Sequence, residues 1–315
     1  MILSVSRRTD IPAFYTEWFI NRVRQGFLYV RNPFNDNQIS KINISPDNVD
    51  CIVFWSKNPE PIINHLKELD DKGYKYYFQF TITPYSDDLE VNIKNKEDII
   101  NTFIRLSDKI GKERVILRYD PIIITDKYDY DFHFKAFENI CFRLQNHTEK
   151  VIISFLDSYK KVSGNTKGIN IKEIKTEDMR YIAGSFAKIA EKYNLPVETC
   201  AEAIDLSEFG IGHGKCIDGD LIERITGYKI INKNKRDGNR EDCRCMKCID
   251  IGQYNTCIHN CVYCYANENK KTAINNYRLH NADSPILSGE YSENQINERK
   301  DINSFKIKQT SFFDL

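Results

Sequence analysis

Short apolar runs, rich in β-branched and aromatic residues, recur along the first two thirds of the chain. Such runs predict buried strands, here at residues 2–6, 51–55, 76–83, 114–119, 151–156 and 197–201. Between them, apolar residues recur at spacings of three and four, which predicts helices with one side facing a core. The predicted helices cover residues 12–25, 61–72, 96–110, 131–144 and 176–193, and strands at 27–30 and 39–44 predict a hairpin insertion.

The alternation of strands and helices predicts βα units around a parallel sheet. Polar residues also collect at the carboxyl end of nearly every predicted strand, where barrels of this class build their active sites. This pattern favours an α/β fold of the TIM-like or partial (β/α)6 barrel type. A six-stranded, open, doubly wound sheet is the alternative.

The pattern changes after the sixth predicted strand. Residues 210–216 are rich in glycine, a short helix is predicted at 220–226, and residues 229–247 are basic and polar. The sequence therefore predicts a barrel over residues 1–228 and a cysteine-rich metal-cluster region over 229–282. A polar tail over 283–315 follows.

Composition and charge limit the functional classes. With 315 residues the chain can bury a full core, and its 45 basic and 45 acidic side chains cancel. No global field therefore draws it to nucleic acid or to an anionic membrane. It contains no run of about 18 apolar residues and its first residues lack the order of a signal peptide. We expect a cytoplasmic protein, in which clustered cysteines are metal ligands rather than disulfides.

Seven of the ten cysteines fall between residues 216 and 264. Cys257, Cys261 and Cys264 have Cx3CxxC spacing, which puts three thiolates on one tight loop. Three thiolates suit three corners of a [4Fe–4S] cube and leave the fourth iron for an exogenous ligand. Zinc is the alternative, since thiolates at CxxC spacing also hold structural zinc.

A second group has CxCxxC spacing and consists of Cys243, Cys245 and Cys248. It predicts a loop folded around a metal, with Cys216 or Cys200 as the fourth ligand. Such a site could be a second cluster that passes electrons to the first or a staple for a small segment. Alternatively, all these cysteines serve a single site. The isolated Cys51 and Cys141 lie in apolar runs and are predicted to pack in the core.

The segment Cys-Ile-His-Asn-Cys-Val-Tyr-Cys-Tyr-Ala at 257–266 resembles the cluster loop of radical S-adenosylmethionine (SAM) enzymes, and its second half is closest to the spore photoproduct lyase branch. Together with Ser-Arg-Arg-Thr-Asp-Ile-Pro at 6–12, it makes the chain resemble an uncharacterised bacterial family. In that family a radical-SAM-like cysteine cluster stands at the C-terminus, whereas the superfamily places it after the first barrel strand.

This resemblance implies a partial barrel, a [4Fe–4S] cluster whose open iron binds the amino and carboxylate groups of SAM, and reductive cleavage of SAM to a 5′-deoxyadenosyl radical. It also implies an electron donor such as flavodoxin or ferredoxin. The superfamily's Gly-Gly-Glu segment after the second strand is replaced by Trp-Ser-Lys-Asn-Pro at 55–59. Only the three cysteines are therefore carried over as cofactor ligands.

Charged residues at the predicted strand ends are further candidates for the site. Inward charges near a barrel mouth are either paired or bind a ligand, because an unpaired buried charge is costly. The candidate catalytic residues are Arg118, Asp120 and Glu198, and the candidate cofactor-binding residues are Arg7, Arg8, Asp10, Lys57, Gly212 and His213. A structural ion-pair network is the alternative for the charged set, and a flexible connector is the alternative for the glycine-rich segment.

The last residues resemble the short peptide by which bacterial repair and replication proteins dock on the sliding clamp. Gln309 would enter a polar notch, with Phe312 and Phe313 in an apolar pocket. Packing on its own domain is the alternative.

The sequence thus predicts a radical SAM-type enzyme acting on an unidentified substrate, with a nucleic-acid lesion or modified nucleotide as the first expectation. The alternatives are a non-catalytic, metal-stabilised binding protein and a two-cluster electron carrier.

Overall fold

The apolar runs of the sequence form the strands of one large sheet. The computed structural model describes residues 1–157, 164–166, 168–233, 236, 241–299 and 303–307. The strands described are β1 (Ile2–Val5), β2 (Phe27–Asn32), β3 (Asn35–Asn43), β4 (Cys51–Ser56), β5 (Tyr76–Thr81), β6 (Val115–Ile122), β7 (Val151–Phe155), β8 (Val197–Thr199), β9 (Gly212–His213), β10 (Ile249–Asp250) and β11 (Ile296–Glu298).

The main sheet is parallel throughout and has the strand order β10-β1-β4-β5-β6-β7-β8-β9. Its six central strands are those predicted from the sequence. The two-residue strands β9 and β10 stand at the edges, and they were not predicted because two residues carry no periodicity. The predicted hairpin is confirmed as β2 and β3, which form a separate sheet with β11.

The helices follow the predicted spacing closely. They are α1 (Ile11–Phe14), α2 (Thr16–Gln25), α3 (Glu60–Ile63), α4 (Leu66–Asp71), α5 (Lys96–Ile110), α6 (Tyr130–Leu144), α7 (Thr176–Glu191), α8 (Gly219–Thr226) and α9 (Lys270–Arg278). The predicted helix at 12–25 is divided because Tyr15 leaves helical geometry, with φ −131° and ψ 25°. Its hydroxyl donates to the backbone oxygen of Thr256 at 2.6 Å. No helix in these described ranges has the length and hydrophobicity needed to cross a membrane.

The two faces of the main sheet have different coverings. Along each strand alternate side chains point to opposite faces. On one face, residues such as Leu3, Phe54 and Leu117 pack against α2, α5, α6 and α7 in the largest apolar cluster. On the other face, residues such as Val53 and Ile116 pack against residues 216–222 and 243–246, including α8. The first part of the cysteine-rich region therefore shares a core with the strands.

Asp250 in β10 joins the loop after β1 to the chain that leads into the cysteines at 257–264. Its carboxylate accepts hydrogen bonds from Ser4 Oγ (2.9 Å), Ser6 Oγ (2.6 Å), the Arg7 amide (2.8 Å) and the Gly252 amide (3.0 Å). The first three of these hydrogen bonds join residues more than 240 positions apart in sequence, and the fourth is local. They determine where the cysteine segment begins relative to the strands.

We predict that Gly252→Ala lowers the free energy of unfolding by about 1–3 kcal/mol, the usual cost of overpacking. A Cβ at residue 252 would lie 1.9 Å from Ser6 Oγ, which Asp250 holds in place. The matched control is Gly212→Ala in β9, where a Cβ would meet no atom within 4 Å. Urea unfolding measures both variants. Equal midpoints for the two would contradict the close approach of Gly252 to Ser6.

Candidate metal centre

The segment of residues 257–264, here called the cysteine loop, packs against the chain that follows β5. The Val262 amide donates to the Leu89 carbonyl at 2.9 Å, and the Asn92 amide donates to the His259 carbonyl at 3.0 Å. The Asn92 side-chain amide donates to the carbonyl of Ile258 at 2.8 Å. The loop therefore lies at the carboxyl end of β5, although its residues come 166 to 173 positions later in sequence than those they contact.

Asp10 links the cysteine loop to the ends of β1 and β4. Its buried carboxylate caps α1 through the Ala13 amide (3.0 Å) and accepts hydrogen bonds from Ser56 Oγ (2.8 Å) and the Lys57 amide (2.7 Å). It also lies 2.8 Å from Nε2 of His259, which must donate because an ionised carboxylate only accepts. Asp10, predicted to bind a cofactor, is thus held by protein groups and positions the loop.

Glu90 links the loop to the end of β5. Its carboxylate is 2% exposed and accepts hydrogen bonds from Lys57 Nζ (2.7 Å), Thr83 Oγ1 (2.6 Å), Lys96 Nζ and the Tyr263 hydroxyl. Burial acts to raise the pKa of Glu90, but the charges of Lys57 and Lys96 outweigh it and lower this pKa to about 2. For Lys57, the charges of Glu90 and Cys261 outweigh burial, so the lysine pKa is raised. The pair is charged at neutral pH.

The three thiols of the cysteine loop lie close enough together that ionisation of one raises the pKa of its neighbours. Burial is the main cause that raises the pKa of Cys257 to about 12 and the pKa of Cys261 well above its usual value. The sulfur of Cys264 accepts a hydrogen bond from the Ala266 amide at 3.4 Å. Such thiols are protonated when free, whereas a bound metal deprotonates a coordinating thiol.

Unsatisfied polar atoms cluster in and beside the cysteine loop. Both side-chain polar atoms of Asn260, together with Nδ1 of His259 and Oδ1 of Asn267, are buried and have no hydrogen-bond partner among the described residues. Buried polar atoms nearly always have partners, so each exception needs an explanation. Of these atoms, the Asn260 side-chain nitrogen is a donor, and the sulfur atoms of an iron–sulfur cluster accept hydrogen bonds from the protein. The loop therefore fits such a cluster.

The thiols still have to turn toward a common centre. In the described part of the chain, no group of three or more His, Cys, Asp or Glu side chains is already arranged to hold a metal ion. A cysteine sulfur can reorient by rotation about a single side-chain bond. The fit of the loop therefore rests on its thiols and its unsatisfied polar atoms.

Four of the other seven cysteines form a separate contact set, here called the second cysteine group, which consists of Cys200, Cys216, Cys243 and Cys245. The sulfurs of Cys200 and Cys216 are 3.2 Å apart, and the thiol of Cys245 hydrogen-bonds those of both Cys216 and Cys243. The hydrogen bond with Cys245 lowers the pKa of Cys243 to about 7. Cys248, predicted to belong with Cys243 and Cys245, has its sulfur 3.2 Å from Nη2 of Arg7.

Arg118 and Asp120 lie between the two sets of cysteines. Arg118 is 4% exposed, forms an ion pair with Asp120, and donates to the Cys216 sulfur at 2.7 Å. The half-buried Asp120 is close enough to interact through its charge with Lys57 on one side and with Cys200 on the other. Two of the three predicted catalytic residues are thus in direct contact.

Glu202, just after β8, has the electrostatics expected of an acid or base. It accepts hydrogen bonds from Ser154 Oγ (3.1 Å) and the Phe155 amide (2.8 Å). Burial, reinforced by nearby carboxylates including that of Asp120, raises the pKa of Glu202 to about 7. The predicted catalytic Glu198 instead accepts a hydrogen bond from Lys150 Nζ at 2.8 Å, just before β7 and toward the amino ends of the strands. For both glutamates, the signal in the sequence was a polar residue at the end of a predicted strand.

The remaining predicted site residues have backbone or packing roles in the structure. Arg8 donates to the Gly252 carbonyl at 3.3 Å and stacks over Tyr254. Gly212 and His213 form the edge strand β9, paired with β8. Gln309, Phe312 and Phe313 lie outside the described residues.

The family model described as "Domain of unknown function (DUF1848)" matches residues 2–266. The chain belongs to the DUF1848 family. This confirms the resemblance to an uncharacterised family that was identified from residues 6–12 and the cysteine loop. All ten cysteines lie within the matched DUF1848 region, and the peptide at 309–313 lies beyond it. No curated protein matches the chain.

In this DUF1848 chain, we predict that Glu90→Gln lowers the free energy of unfolding by about 3–5 kcal/mol, because Lys57 and Lys96 lose their buried counter-charge. The matched control is Glu60→Gln. Glu60 also holds two cations, Lys94 (2.6 Å) and Arg105 (2.9 Å), but its side chain is 39% exposed, so its loss should cost less than about 1 kcal/mol. Chemical denaturation measures both, and a small, equal effect would contradict the buried network.

Proposed function

We propose that this chain is a radical SAM-type iron–sulfur enzyme in which Cys257, Cys261 and Cys264 hold a [4Fe–4S] cluster with one iron open to SAM. The observation that carries the proposal is the cysteine loop itself. Its three thiols lie at the carboxyl ends of β1, β4 and β5, where Asp10 and Glu90 attach the loop. When bound, such a cluster supplies the one-electron reduction that cleaves SAM and the radical chemistry that follows.

The unsatisfied atoms of the loop support a polar cofactor at this position. Asn260 has a positive φ of 55°, and its amide is buried without a partner among the described residues. The amide can donate to a cluster sulfur or to a carboxylate bound beside it. The Lys57 ammonium lies close to Cys261 and favours negative charge on that ligand. Both residues thus favour an anionic metal group.

We also propose that the main sheet is a partial (β/α)6 barrel. In a doubly wound sheet, helices cover both faces. Here the helices that connect the six central strands pack against one face, while residues 216–222, which include the start of α8, and residues 243–246 cover the other. A sheet of this kind has an inner face that opens at the carboxyl ends of its strands, where barrel enzymes bind their substrates.

Asp120 and Glu202 are the residues we assign to the substrate side of this opening. Asp120 is held by Arg118, and Glu202 is fixed by Ser154 and the Phe155 amide. With a pKa of about 7, Glu202 can take up or release a proton at physiological pH. A nucleic-acid substrate stays a prediction from the sequence.

The test is anaerobic reconstitution of the full chain with iron and sulfide, followed by EPR of the reduced protein with and without SAM. We expect a [4Fe–4S]⁺ signal that changes when SAM is added, because SAM binds the open iron. Cys261→Ala should abolish the signal, since a ligand is lost. Cys141→Ala is the matched control, because Cys141 is a buried core cysteine on α6.

Two results would reject this proposal. A cluster signal that SAM leaves unchanged would favour the electron-carrier alternative. Iron content that is the same in Cys261→Ala and in the wild-type protein would show that the cysteine loop is not the iron site, and would favour the metal-stabilised binding protein.

A further inference from the structure

The second cysteine group brings together residues from distant parts of the chain. Cys200 follows β8, Cys216 follows β9, and Cys243 and Cys245 belong to the segment that covers the inner face of the sheet. The Ile217 amide also donates to the Cys245 sulfur at 3.4 Å, and the Met246 amide donates to the Ile217 carbonyl at 3.0 Å. The contacts therefore join two backbone segments as well as four thiols.

The distance between two of these sulfurs indicates the size of the group that they could share. Cys200 and Cys216 have their sulfurs 3.2 Å apart, and Cys245 is in hydrogen-bond contact with both Cys216 and Cys243. In a tetrahedral zinc site with Zn–S bonds of about 2.3 Å, neighbouring sulfurs lie about 3.8 Å apart. The thiolates of an iron–sulfur cube stand farther apart, since each binds a different iron. The 3.2 Å contact is nearer to the spacing around a single ion, and the four side chains, like those of the cysteine loop, have to turn to complete a tetrahedron.

We propose that Cys200, Cys216, Cys243 and Cys245 bind one zinc ion in a closed, four-thiolate structural site. This inference goes beyond the proposed function and does not depend on it. It changes the ligand set expected from the CxCxxC spacing, because Cys200 replaces Cys248. It also replaces a second iron–sulfur cluster by zinc.

The surroundings of the group suit such a site. A zinc ion with four thiolates carries two negative charges, which need a nearby cation when buried. Arg118 supplies it, because its guanidinium donates to the Cys216 sulfur at 2.7 Å from a position that is 4% exposed. Gln79, which donates to the Cys216 carbonyl at 2.8 Å, holds the same turn. Arg118 is therefore a positioning residue for the metal site.

Zinc bound here would attach the covering segment to the sheet. Its four ligands come from the end of β8, the turn after β9, and the segment at 243–245. Metal binding to such a site contributes directly to the free energy of folding. The role of the ion is thus to hold residues 243–246 against the sheet.

The first experiment uses the full-length protein purified without added metals. We expect one zinc per chain, and X-ray absorption at the zinc edge should give four sulfur neighbours at about 2.3 Å. A shell that contains nitrogen or oxygen neighbours, or protein without zinc, overturns the proposal. This measurement needs no variant, so it holds even if the cysteine variants fail to fold.

The second experiment separates this site from the proposed cluster. In a variant with Cys257, Cys261 and Cys264 all changed to alanine, we expect one zinc and no iron after anaerobic reconstitution. About four iron atoms remaining in that variant would overturn the zinc assignment. Failure of the proposed function would appear instead as wild-type protein that takes up no iron.

Single variants test the ligand set. Cys200→Ala and Cys216→Ala should each lose the zinc, as measured by metal analysis of the folded fraction. Cys51→Ala is the matched control, because Cys51 is fully buried in the same apolar cluster and should retain the ion. Cys248→Ala should also retain it. Loss of zinc in Cys248→Ala, with retention in Cys200→Ala, would overturn the proposed ligands.

Discussion

A buried carboxylate is tolerated in a protein only when hydrogen bonds and opposite charges replace the water that it loses. Two carboxylates of this kind, Asp10 and Glu90, hold the cysteine loop at the strand ends. Each is satisfied by groups from separate parts of the chain, so each also fixes those parts relative to one another. The position of the candidate metal centre therefore depends on the complete satisfaction of these two side chains.

This arrangement explains how cysteines near the end of the chain can serve a site at the start of the sheet. His259 and Asp10 are 249 residues apart in sequence, and Tyr263 reaches Glu90 across 173 residues. Asp250 in β10 brings the chain back beside β1 before the loop begins. The cysteine loop comes after the sheet in the sequence. It can nevertheless lie beside β1, in the position that a loop directly after the first strand would occupy.

The parts of the fold that follow local pattern could be predicted from sequence, and those that depend on long-range contact could not. The six central strands and α5 are examples of the first kind, because periodicity and caps are local signals. The edge strands β9 and β10, the role of Glu90 and the meeting of Cys200 with Cys245 are of the second kind. Spacing grouped Cys248 with Cys243 and Cys245, but in the structure the sulfur of Cys248 lies 3.2 Å from Nη2 of Arg7. Sequence also could not separate Glu198 from Glu202, since only packing decides which end of β8 a carboxylate faces.

The charged residues at the strand ends fall into two groups, one beside each set of cysteines. The half-buried Lys57 lies beside Cys261, and the buried Arg118 lies against the sulfur of Cys216, so each thiol set has its own cation. Asp120 interacts with both sides and balances these cations when the thiols are protonated. If the proposed metals bind, their thiolates become new anionic partners of these cations, so the demand on Asp120 falls. The strand-end charges therefore form two networks, one beside the cysteine loop and one beside the second cysteine group, and Asp120 interacts with both.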